Sequence, residues 1–389
     1  MFDVVLAPGR DRSVRRRHPW LLSGAVARVA GDPAPGEWVR VLSAEGEPLG
    51  FGHYAPASQI RVRLLAFGKD APGDACIAER IAVAAARRAA DPLLAGTNAV
   101  RLVNAEGDGL PGLVADRYAD AVVVRCSSAG MSARAGLVAD ALRAATGAAS
   151  GFRRDDAAAA RRDGFEPAAR ALWGPPPPRP LAIGERGRRY EIDLEHGQKT
   201  GFYLDQRDAR DLVQRLASGR RVLDLFSYTG GFGVAAALGG ASSVTLVDSS
   251  AAALAAARRN FAANPVALEP RLAQADGFEF VRHDDLAYDL LVLDPPPLAR
   301  RKADVARAAR AHKDLLLHAL RRAAPGALVL AFSCSSAIDA TLFRQIVFGA
   351  CLDADRTAQV LAALCAPSDH PVSIDHPEGA YLSGLLLRT

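Results

Sequence analysis

The amino-acid sequence predicts an α/β protein of several domains, and three observations lead to this fold class. From about residue 196 onward, apolar strand-like runs alternate with helical segments, which is typical of a parallel sheet covered on both faces. The first 68 residues contain instead short β-prone runs separated by turns. The chain has 389 residues, half of them hydrophobic, and exceeds the size at which one core usually divides. We therefore expect a small β-barrel at 1–68, a mixed α+β domain at 69–195 and an open, doubly wound α/β domain at 196–389.

The N-terminal module is predicted from two β-prone runs, 38–42 and 59–64, which lie between turn-forming segments. A dense basic cluster precedes them and comprises Arg10, Arg12, Arg15, Arg16, Arg17 and His18. On a small barrel such a cluster would contact phosphate groups, whereas the alternative is a solvated loop. The net charge of +5 is compatible with a polyanionic partner, although a bias toward arginine explains it equally well.

The central segment is mixed in character. Its predicted elements are a helix over 77–90, a turn-rich segment over 106–112, and strands over 121–125 and 188–194. The run of prolines from Pro175 to Pro178 favours polyproline geometry and a domain edge.

The C-terminal domain has polar residues where its predicted strands, 222–226, 244–247, 290–293 and 328–332, come to an end. Open α/β sheets bind ligands at that edge. The candidate cofactor-binding residues there are Asp224, Ser227, Tyr228, Gly230, Asp248, Asp276, Gly277 and Asp294.

The acidic residues of this set indicate which cofactor binds. Asp248 is placed to accept hydrogen bonds from ribose hydroxyls, and Asp276 to hold an adenine amino group. Asp224 would repel a pyrophosphate but suits a cationic ligand, which favours S-adenosylmethionine over a dinucleotide. The alternative is that these acids only cap helices, since Asp is a favoured N-cap residue.

Asp294 and Cys334 follow the fourth and fifth predicted strands and are the candidate catalytic residues. Pro295 and Pro296 stiffen the loop that presents Asp294. A thiolate is needed only if the methyl acceptor is a ring carbon, because carbon 5 of a pyrimidine becomes nucleophilic once a thiolate has added to carbon 6. Asp294 would donate a proton toward ring nitrogen 3 and stabilise that adduct. The base must be unstacked to be reached, which implies single-stranded or flipped RNA.

The remaining cysteines, Cys76, Cys126, Cys351 and Cys365, form no paired motif. We therefore expect reduced thiols and no metal site. The sequence has neither a signal-peptide pattern nor an apolar run long enough to span a membrane, so we expect a cytoplasmic protein.

Many segments of the chain resemble the RlmI-like family of bacterial 23S ribosomal RNA cytosine-5 methyltransferases. The matching segments are 18–20, 58–60, 106–113, 116–118, 197–207, 226–232, 294–296, 332–335, 369–371 and 377–379. The resemblance covers nearly the whole chain and implies a PUA domain, a central domain and a Rossmann-like methyltransferase domain in that order.

The resemblance also assigns roles to individual residues. It implies that Cys334 is the nucleophile and Asp294 its partner acid, with S-adenosylmethionine as the cofactor. Segment 198–207 would help close the cofactor pocket, with Gln198 in it, Phe202 or Tyr203 near the adenosine, and Arg207 at the methionine carboxylate. The resemblance further suggests a homodimer.

The sequence departs from the family at two places, and the activity is not yet fixed by the motifs. Pro297 and Leu298 replace a usual Lys-Phe pair, and His312 replaces a tyrosine, and the resemblance implies that a base stacks near both positions. A nitrogen methyltransferase acting on guanine or adenine in RNA would need only the Asp294-Pro295-Pro296 motif. A small-molecule methyltransferase and a catalytically inactive RNA-binding homologue are also compatible with the sequence. The sequence does not distinguish free 23S ribosomal RNA from an assembly intermediate as substrate.

Overall fold

The computed structural model describes residues 1–195, 197, 199–299, 302–335 and 337–389. Its residues group into two compact units, neither of which is continuous along the chain. The first unit consists of 1–183, 192–204 and 368–379, and the second of 184–191, 205–367 and 380–389. The division into three domains at residues 68 and 195 stays a prediction.

The N-terminal part of the first unit is a sheet of short strands with an apolar interior. Its elements are β1 (Phe2–Leu6), α1 (Arg12–Arg15), β2 (Trp20–Leu22), β3 (Val26–Ala30), β4 (Trp38–Leu42), β5 (Pro48–Tyr54) and β6 (Ile60–Phe67). The strand order is β2-β6-β5-β4-β1-β3. Alternate residues face the interior, as in β4, where Val39 and Val41 are fully buried. The two predicted strands of this module, β4 and β6, are confirmed.

The second sheet of the first unit carries helices. Its elements are α2 (Ala75–Ala90), β7 (Ala99–Asn104), β8 (Leu113–Tyr118), β9 (Ala121–Cys126), α3 (Ala129–Ala133), α4 (Ala135–Thr146), β10 (Ser150–Arg154), α5 (Ala157–Asp163) and β11 (Ala169–Trp173). The order is β11-β10-β9-β8-β7. Ile77 and Ile81 of α2 share one core with Val138 and Leu142 of α4, because residues four apart lie on the same helix face. A two-stranded sheet of β12 (Leu181–Glu185) and β13 (Arg188–Ile192) follows.

The second unit contains the predicted α/β sheet. Its strands are β14 (Arg221–Leu225), β15 (Ser243–Asp248), β16 (Arg271–Gln274), β17 (Tyr288–Leu293), β18 (Ala323–Ser333), β19 (Gln359–Leu364) and β20 (Ser383–Arg388). Its helices are α6 (Arg207–Leu216), α7 (Gly231–Leu238), α8 (Ala251–Ala262), α9 (Gly277–His283), α10 (Val305–Arg322) and α11 (Ala340–Asp353). No helix in the described part of the chain is both long and apolar enough to cross a membrane.

The strand order β16-β15-β14-β17-β18-β20-β19 differs at one edge from the expected parallel sheet. Strands β14 to β18 pair in parallel, but β20 pairs antiparallel with both β18 and β19. The parallel pairing expected from the sequence is therefore confirmed for β14 to β18, and β19 and β20, for which the sequence predicted no strands, add an antiparallel edge.

The parallel part of the sheet positions the site. Leu290, Leu291 and Val292 are all fully buried, which explains the continuous apolar run of β17, since helices cover both faces of a parallel sheet. Strands β15 and β17 lie on opposite sides of β14, so the chain reverses direction across the sheet at β14. Open α/β sheets bind ligands at such a reversal, beyond the carboxyl ends of the strands.

Candidate active site

The loop between β14 and α7 has an unusual backbone. Phe226, Tyr228 and Gly230 have φ angles of 64°, 48° and 77°, in the left-handed region that non-glycine residues seldom adopt. The amide of Tyr228 donates to Asp248 Oδ2 at 2.9 Å, so the end of β15 holds this loop in place. Strained backbone of this kind persists only where the surroundings impose it, and it concentrates at ligand sites.

Asp224 is the most unusual acidic residue of the site. Its side chain is 1% exposed, and neither carboxylate oxygen has a hydrogen-bond partner among the described residues. Burial raises the pKa of Asp224 well above its usual value, the charges of Asp294 and Asp248 raise it further, and the amide of Gly233 acts in the opposite direction. A buried carboxylate without a cationic partner is unfavourable, so this position suits a positively charged ligand.

Hydroxyl groups extend this polar pocket. The hydroxyls of Ser227, Thr229 and Ser333 are also buried and lack hydrogen-bond partners among the described residues. Buried polar groups are nearly always paired, so a polar ligand at this edge of the sheet would satisfy several of them together. S-adenosylmethionine fits these groups, because it carries an ammonium and a sulfonium and no phosphate.

Asp248 and Asp276 have structural roles beside any role in binding. Asp276 Oδ1 accepts hydrogen bonds from the amides of Phe278 and Glu279 and caps α9. Asp248 Oδ1 accepts from the amide of Ser250 at 2.9 Å. These bonds do not use Asp276 Oδ2, and each oxygen of Asp248 has a second lone pair, so both residues can still accept from ribose or adenine. Helix capping therefore accounts for Asp276 and does not account for Asp224.

Gly277 is required by close packing against the glycine-containing loop. A β-carbon at Gly277 would lie 2.7 Å from the ring of Phe226. The Phe226 ring also packs edge-on against Phe278, with ring centroids 5.6 Å apart. Gly277 thus supports the strained loop, and its direct contact with the cofactor stays a prediction.

The two candidate catalytic residues lie on loops that hydrogen bonds join. The Cys334 thiol contacts the carbonyl oxygen of Pro295 at 3.5 Å, directly after Asp294. Ser335 donates to the carbonyl oxygen of Ala299 at 2.7 Å, which ties the end of β18 to the same proline-containing loop. Asp294 Oδ2 accepts a hydrogen bond at 3.0 Å from Gln206 Nε2. The structure thus places the loop that carries Cys334 against the loop that carries Asp294.

Exposure distinguishes Cys334 from most of the cysteines. Cys334 is partly exposed, whereas Cys76, Cys126 and Cys351 are buried. Burial raises the pKa of each of these three thiols, that of Cys126 to about 12. Thiols of this kind are poor nucleophiles at neutral pH. Cys365 is exposed but lies just beyond the edge strand β19.

Segment 198–207, which the resemblance assigned to the cofactor pocket, is divided between the two units. Phe202 and Tyr203 belong to the first unit, where the Phe202 amide donates to the Tyr118 hydroxyl and the Lys199 ammonium lies 4.2 Å from the centre of the Tyr203 ring. Arg207 belongs to the second unit, is fully buried and lies 3.8 Å from Glu185. Gln198 lies outside the described residues. The cofactor contacts of these four residues stay predictions.

The basic cluster of the N-terminal module is only partly available for phosphate contact. Arg12, Arg16 and Arg17 are exposed. Arg15 forms ion pairs with Asp11 and Glu47, and His18 Nε2 lies 3.2 Å from Glu378 within the same unit. A phosphate would have to compete with these carboxylates at Arg15 and His18.

Of the residues that depart from the family pattern, His312 and Leu298 pack in the interior and Pro297 is exposed. His312 is 2% exposed and packs edge-on against Phe343, and its burial lowers the pKa to about 4. Leu298 packs against the same core of the second unit. His312 is therefore a neutral core side chain, which corrects the expectation that it lies where a base stacks.

Sequence reasoning missed Gln206 as a partner of Asp294. It also missed the buried hydroxyls of Thr229 and Ser333. Gln206 could have been selected because it lies within segment 197–207, which resembles the family. The only feature of the sequence that pointed to Ser333 was its position next to Cys334.

The fold and the site define the class of this protein. A parallel sheet with a strained glycine-containing loop, a buried acid suited to a cation and a neighbouring thiol are the features of a methyltransferase domain. The sequence matches the S-adenosylmethionine-dependent methyltransferase family over residues 141–349 and the PUA-like domain family over residues 4–67. The protein is an S-adenosylmethionine-dependent methyltransferase with an N-terminal PUA-like domain, which confirms the predicted fold class and cofactor.

Full-length relatives place the chain more narrowly. "Ribosomal RNA large subunit methyltransferase I" of Aeromonas salmonicida is 39% identical, covering 99% of this chain and 98% of its own. The protein of the same name from Shewanella amazonensis is 41% identical, with the same coverage. The crystal structure of SMU.776 with SAH covers both chains completely, with a TM-score of 0.86 at 23% identity, and shows a likeness of fold. The chain belongs to the ribosomal RNA large subunit methyltransferase I family.

Proposed function

We propose that this protein methylates carbon 5 of a cytosine in 23S ribosomal RNA, through a covalent bond between Cys334 and the base. The observation that carries the proposal is the partly exposed Cys334 thiol, held 3.5 Å from the Pro295 carbonyl beside Asp294. Methylation of a base nitrogen needs no thiol, whereas methylation of a pyrimidine carbon does. The names of the full-length relatives support the large-subunit ribosomal RNA as the substrate.

The residues of this chain would act in a defined order. Cys334 Sγ, as thiolate, forms a bond to carbon 6 of the cytosine, and Asp294 provides a proton at ring nitrogen 3, so that carbon 5 becomes nucleophilic. Bound S-adenosylmethionine supplies the electrophilic methyl group that carbon 5 accepts. Water in the site then acts as the base that takes the carbon-5 proton, the double bond between carbons 5 and 6 re-forms, the Cys334 thiolate leaves carbon 6, and ring nitrogen 3 returns its proton to Asp294. Asp224 holds the cofactor ammonium, and Asp248 its ribose.

The same proposal covers the partners of the protein. The exposed Arg12, Arg16 and Arg17 would contact RNA phosphates, since arginine neutralises the backbone without reading sequence. A homodimer is part of the proposal and is supported by the family resemblance, and a cytoplasmic location is supported by ribosomal RNA as the substrate of the named relatives.

The test combines the thiol with the product. Wild type, Cys334→Ala and the control Cys365→Ala, which removes an exposed thiol away from Asp294, are incubated with labelled S-adenosylmethionine and ribosomal RNA lacking the modification. We expect 5-methylcytidine from wild type and from Cys365→Ala, and a loss of at least about 1,000-fold in Cys334→Ala, because the covalent step has no replacement. Label in a methylated purine that survives Cys334→Ala would refute the carbon-5 mechanism. Cofactor binding without transfer to any RNA would indicate an inactive homologue.

A further inference from the structure

Gln206 is in direct contact with Asp294, the catalytic acid. The proposed mechanism gives Gln206 no role. Gln206 ends the 3₁₀ turn Leu204–Gln206 just before α6 and is 3% exposed. Its Nε2 donates to Asp294 Oδ2 at 3.0 Å. Its Oε1 is buried and has no hydrogen-bond partner among the described residues. One end of this amide is therefore fixed on Asp294, and the other end faces no protein donor within the described ranges.

A second hydrogen bond fixes the turn that carries Gln206. The hydroxyl of Tyr381, two residues before β20, donates to Asp205 Oδ2 at 2.7 Å. Asp205 directly precedes Gln206 and is itself buried. The C-terminal segment of the second unit thereby holds the backbone of the turn, and the turn holds the amide against Asp294.

The chemistry of an amide suits this position. A neutral donor holds one oxygen of Asp294 in place without the repulsion that a second carboxylate would bring. A buried carbonyl oxygen without a partner is unfavourable, and an N–H group of a bound ligand would pair it. The 4-amino group of cytosine and the ammonium group of S-adenosylmethionine both carry such an N–H.

We propose that Gln206 is the positioning residue of Asp294: it fixes the carboxylate through Nε2 and accepts an N–H of the bound ligand through Oε1. This inference rests on the proposed function, because Asp294 needs a fixed orientation only if it acts on the base. Cytosine is the favoured ligand, since Nε2 already contacts the acid that meets the ring.

The test uses full-length protein with Gln206→Met, which keeps the length of the side chain and removes both donor and acceptor. Gln214→Met is the matched control, because Gln214 lies in α6, directly after the same turn, and accepts from Arg188 at 2.7 Å. Single-turnover rate, affinity for S-adenosylmethionine by calorimetry, RNA affinity and melting temperature are measured for each. Gln206→Glu restores the shape of the side chain and removes the neutral donor.

We expect Gln206→Met to slow methyl transfer roughly 10- to 100-fold, the range for loss of a hydrogen bond to a charged group, with cofactor affinity and melting temperature close to wild type. One limb of the pH–rate profile should report the ionisation of Asp294, and Asp294→Asn should abolish it. In Gln206→Met this limb should move to higher pH, because the hydrogen bond that is lost favours the ionised carboxylate. Gln206→Glu should not rescue the rate, and Gln214→Met should match wild type.

Two results would overturn this inference. A tenfold or larger loss of cofactor affinity with an unchanged transfer rate would make Gln206 a ligand of the cofactor. An unchanged rate and pH profile in Gln206→Met would remove any role. Failure of the proposed function is recognised separately, because wild type itself would then form no 5-methylcytidine.

Discussion

At the scale of single residues, the site is organised around a buried acid to which no described residue brings a positive charge. Asp224 lies where burial disfavours its ionised form and where two further carboxylates face it. Several other buried acids are paired with arginine, as Glu185 is with Arg210 at 2.6 Å in the same unit. The exception at Asp224 is understandable if the ligand brings the positive charge.

Asp224→Asn should therefore have opposite effects on the stability of the protein and on its affinity for the cofactor. The raised pKa of Asp224 means that the folded protein holds a proton more tightly than the unfolded chain, so wild type without cofactor loses stability as pH rises above about 4. We expect Asp224→Asn to melt higher than wild type at neutral pH and to bind S-adenosylmethionine at least about tenfold more weakly. Calorimetry and melting curves at several pH values measure both effects.

Asp289→Asn is the control for this substitution. It removes a carboxylate of the same unit that pairs with Arg221 at the surface. Its effect on cofactor affinity should be negligible. Equal affinity in Asp224→Asn and wild type would remove Asp224 from the cofactor site.

At the scale of elements, the strained loop after β14 depends on both its backbone and its neighbours. Gly230 has a φ of 77°, and a β-carbon there would lie 2.9 Å from the β-carbon of Ala257. Gly219, before β14, has a φ of 71°, but no described atom lies within 4 Å of the position of a β-carbon there. The two glycines share a conformation and differ in packing.

Substitution of these two glycines by alanine should give different results. Gly219→Ala should destabilise the protein by about 1 kcal/mol, from backbone strain alone. Gly230→Ala adds a clash with α8, and we expect about 2–4 kcal/mol together with weaker cofactor binding. Urea unfolding and calorimetry measure both quantities. If the two variants lost equal stability, close packing would not be what requires Gly230.

The sequence predicts the elements of the sheet well and its edge poorly. The apolar runs of β14, β15, β17 and β18 are local signals, and each of these four predicted strands overlaps an observed one. The insertion of β20 between β18 and β19 depends on pairing between distant segments, which no local pattern encodes.

Among the site residues, Asp224 and Cys334 can be recognised in the sequence because they lie at the ends of predicted strands. The hydrogen bond between Gln206 and Asp294 joins residues 88 positions apart and becomes visible only in the fold.

At the scale of the whole molecule, the net charge of +5 indicates RNA contact only where positive side chains are exposed and not paired with carboxylates. Arg15 and Arg16 are neighbours in the basic cluster and are both exposed, but Arg15 is neutralised by two carboxylates. Arg16 forms no ion pair with the residues that the structure describes. Overall charge is therefore a weaker guide to RNA contact than the exposed arginines are.

Salt dependence distinguishes these two arginines. Arg16→Ala should reduce the slope of log affinity for RNA against log salt by about 0.7 for each phosphate that the side chain neutralises, the value for single strands. Arg15→Ala should change the slope less, because its charge is already committed to Asp11 and Glu47. Fluorescence anisotropy over a range of salt concentrations measures the slope. Equal slopes in both variants and wild type would show that neither arginine contacts an RNA phosphate.

The interleaving of the two units along the chain bears on how the protein is made. Residues 368–379 complete the first unit, and the last ten residues supply β20, which lies between β18 and β19. Synthesis runs from the N-terminus, so the β-rich module is made first, and β19 is made before β20, the strand that pairs with it. A deletion of residues 368–389 would therefore remove material from both units at once, and a chain that stops at residue 367 could complete neither of them.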